Sequence, residues 1–388
     1  MFAEKISRLG TETAFEVLAR AKELERQGRD VVHLEIGEPD FDTPRFIKDA
    51  AIEALNAGFT HYGPSAGQPD VREAIARVVS SKRGIQATAD NVVVTPGAKP
   101  IMFFGMLACV DEGDEVIYPN PGFPIYESVV NFLGAKPVPL RLQEDRDFTF
   151  DLDEFASLVN DKTRFVILNS PQNPTGGVLS REDLEKIGEI LKDRKLWVLT
   201  DEVYSEILYE GRHHSIASVP GMAEKTIILD GHSKTYAMTG WRLGYGVMPK
   251  ELAAHVTRLM TNCNSCTNVF VQIAGMKALT GPQEEVTRMV SEFRRRRDVI
   301  VEGLNAIPGV SCKTPKGAFY VFPNVQNVPM PSAQLARELL DKAGVAVLSG
   351  TAFGAHGDGY LRLSYANSVE NIQKSLQRMG EFISSIKG

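Results

Sequence analysis

Between residues 91 and 248, seven short runs rich in valine, isoleucine and leucine alternate with segments of helical pattern. This alternation constrains the fold more than any other feature of the chain. The runs cover 91–95, 115–118, 137–142, 164–168, 196–200, 226–230 and 243–248, with helix candidates at 98–110, 126–133, 181–194 and 203–208. Strands that are apolar throughout need both faces covered. The pattern therefore predicts an α/β fold whose large domain holds a mostly parallel seven-stranded sheet sandwiched by helices.

Upstream, the periodicity predicts helices over 13–28, 45–57 and 70–81, and a strand at 31–36 running into the turn Gly37-Glu38-Pro39-Asp40. After Gly281-Pro282 the pattern changes. A long charged helix over 284–304 leads to short strands (318–322, 345–348, 360–363) and helices (333–342, 368–384), which reads as a smaller α+β domain. Four consecutive arginines at 294–297 point about 100° apart on a helix, so they make no single basic face and read as solvated or salt-bridged.

A chain of 388 residues with 43% hydrophobic content supports two domains. Its net charge of −6 argues against nonspecific binding to nucleic acid or anionic membrane. The apolar stretch 101–110 is too short to span a bilayer, and the N-terminus lacks an apolar leader core, so a cytoplasmic protein is expected. Cys263 and Cys266 have CxxC spacing, but neither a redox βαβ context nor two further metal ligands accompany them. Buried or semi-buried free thiols, and no metal, are the expectation.

Ligands of open α/β sheets bind beyond the carboxyl ends of the strands. Asn173 follows Leu168 by five residues, Asp201 follows Thr200 directly, and Lys234 follows Asp230 by four. Lys234 sits in Gly231-His232-Ser233-Lys234-Thr235, eight residues before Arg242. A lysine held neutral in a sheltered site can add to an aldehyde; the plain alternative is a surface lysine in a Gly/Ser loop.

Asn169-Ser170-Pro171-Gln172-Asn173-Pro174-Thr175-Gly176, then Thr200-Asp201-Glu202-Val203-Tyr204, then Lys234 occur in that order. On these motifs the sequence resembles fold-type I pyridoxal-phosphate enzymes, specifically the aspartate-aminotransferase-like class I/II aminotransferases. The resemblance runs from Gly37-Glu38-Pro39-Asp40-Phe41 to Arg362-Leu363-Ser364. It implies pyridoxal 5'-phosphate as cofactor and Lys234 as the lysine that carries it and moves the proton. Asp201 would face the pyridine nitrogen and keep it protonated; a helix cap is its alternative role. Asn173 and Tyr204 would hold the phenolic oxygen, and Phe123 would stack on the ring.

Gly97, Ala98 and Lys99 open a helix after a strand. With Ser233 and Arg242 they suit a phosphate, although the Lys99 side chain could point away. Arg362, in an apolar run, would take the substrate carboxylate, with the Ile36-Gly37 backbone close by. Tyr62 resembles the tyrosine that reaches the partner subunit's phosphate, which implies a homodimer with shared active sites. The resemblance also implies that residues 1–43 pack with 282–388 as the small domain, leaving 44–281 as the large one.

Ping-pong transfer between an amino acid and a 2-oxo acid is the expected activity. A lyase on the same scaffold and a non-catalytic effector-binding relative are the alternatives. No basic residue occurs from 100 to 126, and the expected pocket walls Phe15, Ile36, Tyr320 and Phe353 carry no charge. Nor does the segment 262–268, which the partner subunit could supply. This favours a neutral amino acid, alanine-like or of broad range, with aspartate still open.

Overall fold

The computed structural model describes residues 2–386. The chain opens with α1 (Thr13–Arg26), a short strand β1 (Val32–His33), α2 (Arg45–Asn56) and α3 (Pro69–Arg83). There follow β2 (Val92–Thr95), α4 (Lys99–Cys109), β3 (Glu115–Asn120), α5 (Ile125–Leu133), β4 (Lys136–Arg141), α6 (Leu152–Leu158), β5 (Thr163–Asn169), α7 (Arg181–Leu191), β6 (Trp197–Asp201), β7 (Thr226–Gly231) and β8 (Gly244–Val247). Then come α8 (Lys250–Asn264), α9 (Val269–Thr280), α10 (Glu284–Asn305), β9 (Tyr320–Val321), α11 (Ser332–Glu338), β10 (Val345–Ala346), β11 (Leu348–Ser349), β12 (Leu361–Ser364) and α12 (Val369–Ser385).

Seven strands form one sheet in the order β2-β8-β7-β6-β5-β3-β4, and only β8 runs antiparallel to its neighbours. Strands β2, β3, β7 and β8 are buried along their whole length, as helix cover on both faces requires. Edge strand β4 is half exposed and carries Pro137 and Pro139, residues an edge tolerates because one side of the strand needs no donors. The remaining strands make an antiparallel trio β11-β12-β9 and a parallel pair β1-β10. Around them Phe293, Phe319, Leu335 and Tyr365 build a separate apolar core with α10 and α12.

The helix expected at 203–208 is a turn. Its chain must leave β6 and pair outward: Leu208 bridges Gly317, and the Tyr209 amide donates to the Lys316 carbonyl. Helices α6, α8 and α9 were not expected. α9 has no apolar stripe to reveal it because α2 and α3 both pack on it. Within the arginine run, Arg295 pairs with Glu292, Arg296 with Asp40 and Glu292, and Arg297 with Asp298, so the salt-bridged expectation holds. Cys263 is exposed rather than buried, since it lies in the last, solvent-facing turn of α8. Among the described residues, no helix is long and apolar enough to cross a membrane.

Candidate active site

The carboxyl ends of β5, β6 and β7 open into a cavity of about 510 Å³. Asn169 ends β5, and its side chain ties two neighbours: Nδ2 donates to the Asp201 carbonyl at 3.0 Å, and Oδ1 accepts from the Asn173 amide at 3.0 Å. Asn173 is thereby turned into the cavity. Its side-chain Oδ1 is buried without a partner.

Asp201 is the last residue of β6 and is buried. Tyr126 donates to its Oδ2 at 2.6 Å, and the Val203 amide to its Oδ1 at 3.3 Å. Burial pushes this carboxyl up to about 6, against the lowering effect of the Tyr126 hydrogen bond. Above that pH it is an anion without a paired cation, facing the cavity.

Lys234 lies three residues beyond β7, and its Nζ donates to the Gly37 carbonyl at 2.6 Å. Enclosure lowers its pKa to about 8, opposed by the negative charge of Glu38 and aided by Arg362 and Arg242. A substantial neutral fraction therefore exists near physiological pH.

Gly97 adopts φ +85, and a Cβ there would lie 2.2 Å from Arg242 Nη2. The missing side chain lets the guanidinium pack beside the start of α4. Arg242 is held by φ +53 and by Nη1 donating to the Thr239 carbonyl at 2.7 Å. Ala98 and Ser233 line the cavity beside it.

Arg362, on β12, is 3% exposed, yet makes no ion pair among the described residues. One Nη2 donates to the Glu35 carbonyl, and Nε has no partner. The guanidinium lies 4.7 Å from the Tyr320 ring centroid and 5.2 Å from that of Phe353. A buried cation with free donors is costly unless a ligand anion completes it. Gly37 leaves room for the Tyr320 hydroxyl, which would lie 2.0 Å from a Cβ there; that hydroxyl also bonds Tyr204 at 2.7 Å.

The fold thus brings Ile36, Gly37, Ala98, Lys99, Phe123, Asn173, Asp201, Tyr204, Ser233, Lys234, Arg242 and Arg362 to one cavity. Gly97 stands behind Arg242. Tyr62 stays outside, 90% exposed. Lys99 turns to Glu12, with which it is ion-paired, and lies 5.3 Å from the centroid of the Phe123 ring. Tyr126 and Glu12 were missed in the sequence. No local signal marks them, because their partners lie 75 and 87 residues away.

These features define a class of enzyme built to hold a phosphorylated ring aldehyde beside a substrate carboxylate. The aminotransferase class I and II family model matches residues 29–379. The chain is 41% identical over 355 residues to the aspartate aminotransferase of Pyrococcus abyssi, covering 90% of this chain and 91% of that one. The fold matches the aspartate aminotransferase from Rhizobium meliloti with a TM-score of 0.94 at 36% identity, over 99% of each chain. It matches an alanine aminotransferase from Pyrococcus furiosus with a TM-score of 0.94 at 32% identity, over 99% of this chain and 100% of that one.

The chain belongs to the class I and II aminotransferases and is a pyridoxal-phosphate-dependent transaminase. The residues present fit that cofactor. The Gly97–Arg242 cradle suits a phosphate, Asp201 a ring nitrogen, and the Nδ2 group of Asn173, a donor on a residue lining the cavity, a phenolic oxygen.

Proposed function

We propose that this enzyme transfers the amino group of a neutral L-amino acid to a 2-oxo acid by a ping-pong mechanism. The observation that carries the substrate class is the buried, unpaired Arg362, with no second uncommitted cation around the cavity among the described residues. The guanidinium fork takes the α-carboxylate, common to amino and oxo acids, and an uncharged wall remains for the side chain.

Arg242, Ser233 and the backbone amides of Ala98 and Lys99 would hold the cofactor phosphate, Asn173 and Tyr204 its phenolic oxygen, and Phe123 its ring face. Bound there, pyridoxal phosphate supplies a carbonyl that accepts the amino group and a ring that draws electrons from the substrate Cα. Asp201, ionised above about pH 6, would keep a proton on the ring nitrogen of the bound cofactor. Arg362 fixes the substrate so that its Cα–H faces Lys234. The Lys234 amine, with its pKa lowered to about 8, is placed to take the proton from the substrate Cα as a base and to give it up again as an acid. The apolar walls Ile36, Tyr320 and Phe353 keep water from the exchange. The first substrate leaves as a 2-oxo acid before the second one enters.

Residues 44–281 act as the cofactor-binding domain, and 1–43 with 282–388 as the small domain. Tyr62 completes the site of a second subunit; its 90% exposure supports this role. Free cysteines fit a reducing cytoplasm.

The test is a panel of amino acids mixed with the loaded enzyme while the cofactor absorbance is followed. Faster change with alanine or larger neutral amino acids than with aspartate is expected. A strong aspartate preference would overturn the neutral-substrate assignment, and stoichiometric ammonia release would overturn transfer.

A further inference from the structure

A buried ion cluster centred on Arg83 stands behind the cavity wall. Arg83 is the last residue of α3, which Gly84 ends at φ +67. Its guanidinium has three side-chain acceptors. Nε donates to Glu202 Oε2 at 2.6 Å, and Nη2 donates to Ser205 Oγ at 2.7 Å and to Asp230 Oδ2 at 3.0 Å. The side chains of Arg83, Glu202 and Asp230 are 4%, 0% and 8% exposed.

Each acceptor lies close in the chain to a residue of the site. Glu202 follows Asp201, Ser205 follows Tyr204, and Asp230 precedes Lys234 by four. The turn after β6 closes on itself through bonds from the Ser205 amide to the Glu202 carbonyl and from the Ile207 amide to the Tyr204 carbonyl, both 2.8 Å. Arg83 grips that turn at Glu202 and Ser205. Asp230 passes the grip on to β7, because its Oδ1 accepts from the Gly231 amide at 2.7 Å, where the chain leaves the strand towards Lys234.

A buried ion cluster adds little net stability over apolar packing, since each charge is stripped of water. What it supplies is direction, because a planar fork fixes its acceptors relative to one another. We propose that Arg83 is a positioning residue, which fixes the turn bearing Asp201 and Tyr204 against the end of β7 that leads to Lys234. This rests on the roles given above to those three residues. Arg362, the residue for the substrate carboxylate, lies on β12, outside the cluster. Loss of the fork should therefore impair turnover and leave substrate binding alone.

The test uses the holoenzyme of wild type, Arg83→Lys and Ser205→Ala with the fastest amino donor of the panel above. Lysine keeps the charge and lacks the planar fork. Arg83→Lys should lower kcat about tenfold, within the range that a small misplacement at a reacting centre costs, with KM unchanged. Ser205→Ala removes one acceptor and no charge, and should lower kcat by less, again at constant KM. The substrate-free holoenzyme gives a second readout, the pH midpoint of the cofactor absorbance. Tyr204 and Asp201 set the proton affinity of the linkage between Lys234 and the cofactor. The midpoint should therefore move in both variants, by up to about one pH unit.

Unmoved midpoints in both variants, or a raised KM at wild-type kcat, would overturn the proposal and leave Arg83 a residue of fold stability alone. Should Arg83→Lys fold poorly, Ser205→Ala decides by the same two readouts. Asp201→Asn measured alongside keeps the two readings apart. A near-normal rate there would overturn the role of Asp201, whereas the absorbance midpoint still judges Arg83 through Tyr204 and Lys234.

Discussion

The hydroxyl of Tyr126 donates to the Asp201 carboxylate at 2.6 Å, and both side chains are buried. The bond favours the ionised carboxylate, whereas burial opposes it and leaves the group at about 6. Below that pH Asp201 gains a proton and can no longer balance a protonated ring nitrogen, so activity should fall on the acid side.

Tyr126→Phe removes the lowering partner. The acid limb of the pH profile of kcat/KM should move upward, by roughly one pH unit for the loss of one hydrogen bond to a charged group. Asp201→Asn should leave the fold intact and cut turnover by about 3 kcal/mol in transition-state stabilisation. An unmoved limb in Tyr126→Phe, or near-normal rates in Asp201→Asn, would leave Asp201 with a capping role only.

Lys234→Ala should abolish turnover. Borohydride reduction of the loaded wild type, followed by peptide mapping, should tag Lys234 and no other lysine. The variant also carries a stability signature. A lysine whose folded pKa is depressed to about 8 destabilises the cofactor-free protein fully below that pH, and the penalty fades as pH rises towards the ordinary lysine value. Cofactor-free Lys234→Ala should therefore melt above wild type at pH 7, with the gap closing at higher pH. An unchanged gap across that range would show that the amine is not strained by its surroundings.

Arg362→Lys keeps the charge and loses the fork. Both half-reactions should weaken by about 2 kcal/mol in substrate binding, while retention of the cofactor stays close to wild type. Equilibrium dialysis of the cofactor and single-turnover kinetics separate the two effects. Collapse of cofactor retention with intact substrate affinity would move Arg362 to the phosphate side of the site.

Tyr62 is 90% exposed in a Gly/Pro-rich loop between α2 and α3. Mixing Tyr62→Ala with Lys234→Ala and allowing subunit exchange should yield activity above the sum of the two variants. Hybrids with a shared site concentrate both lesions in one site and free the other. Strictly additive activity in exchanged dimers would confine Tyr62 to its own subunit.

The parallel sheet was legible because buried strands must be apolar throughout, and such runs are local in the chain. The chemistry at their ends was legible for the same reason. Asn173, Asp201 and Lys234 follow β5, β6 and β7 within a few residues, and parallel strands carry their ends to one edge. The turn at 203–208 was misjudged as helix because its conformation is dictated by pairing with 316–318, a segment more than a hundred residues away. α9 was overlooked because burial on both sides erased its period.

Only the tertiary structure decided how the site is tuned. Tyr126 on Asp201, Tyr320 on Tyr204, Glu35 on Arg362 and Glu12 on Lys99 join residues 75, 116, 327 and 87 positions apart. Sequence spacing carries no information about such pairs, because they form when separate layers pack. The catalytic residue types were set by short motifs that local backbone geometry requires. Their charges, their partners and the space left for a substrate side chain were set by what the fold brings against them.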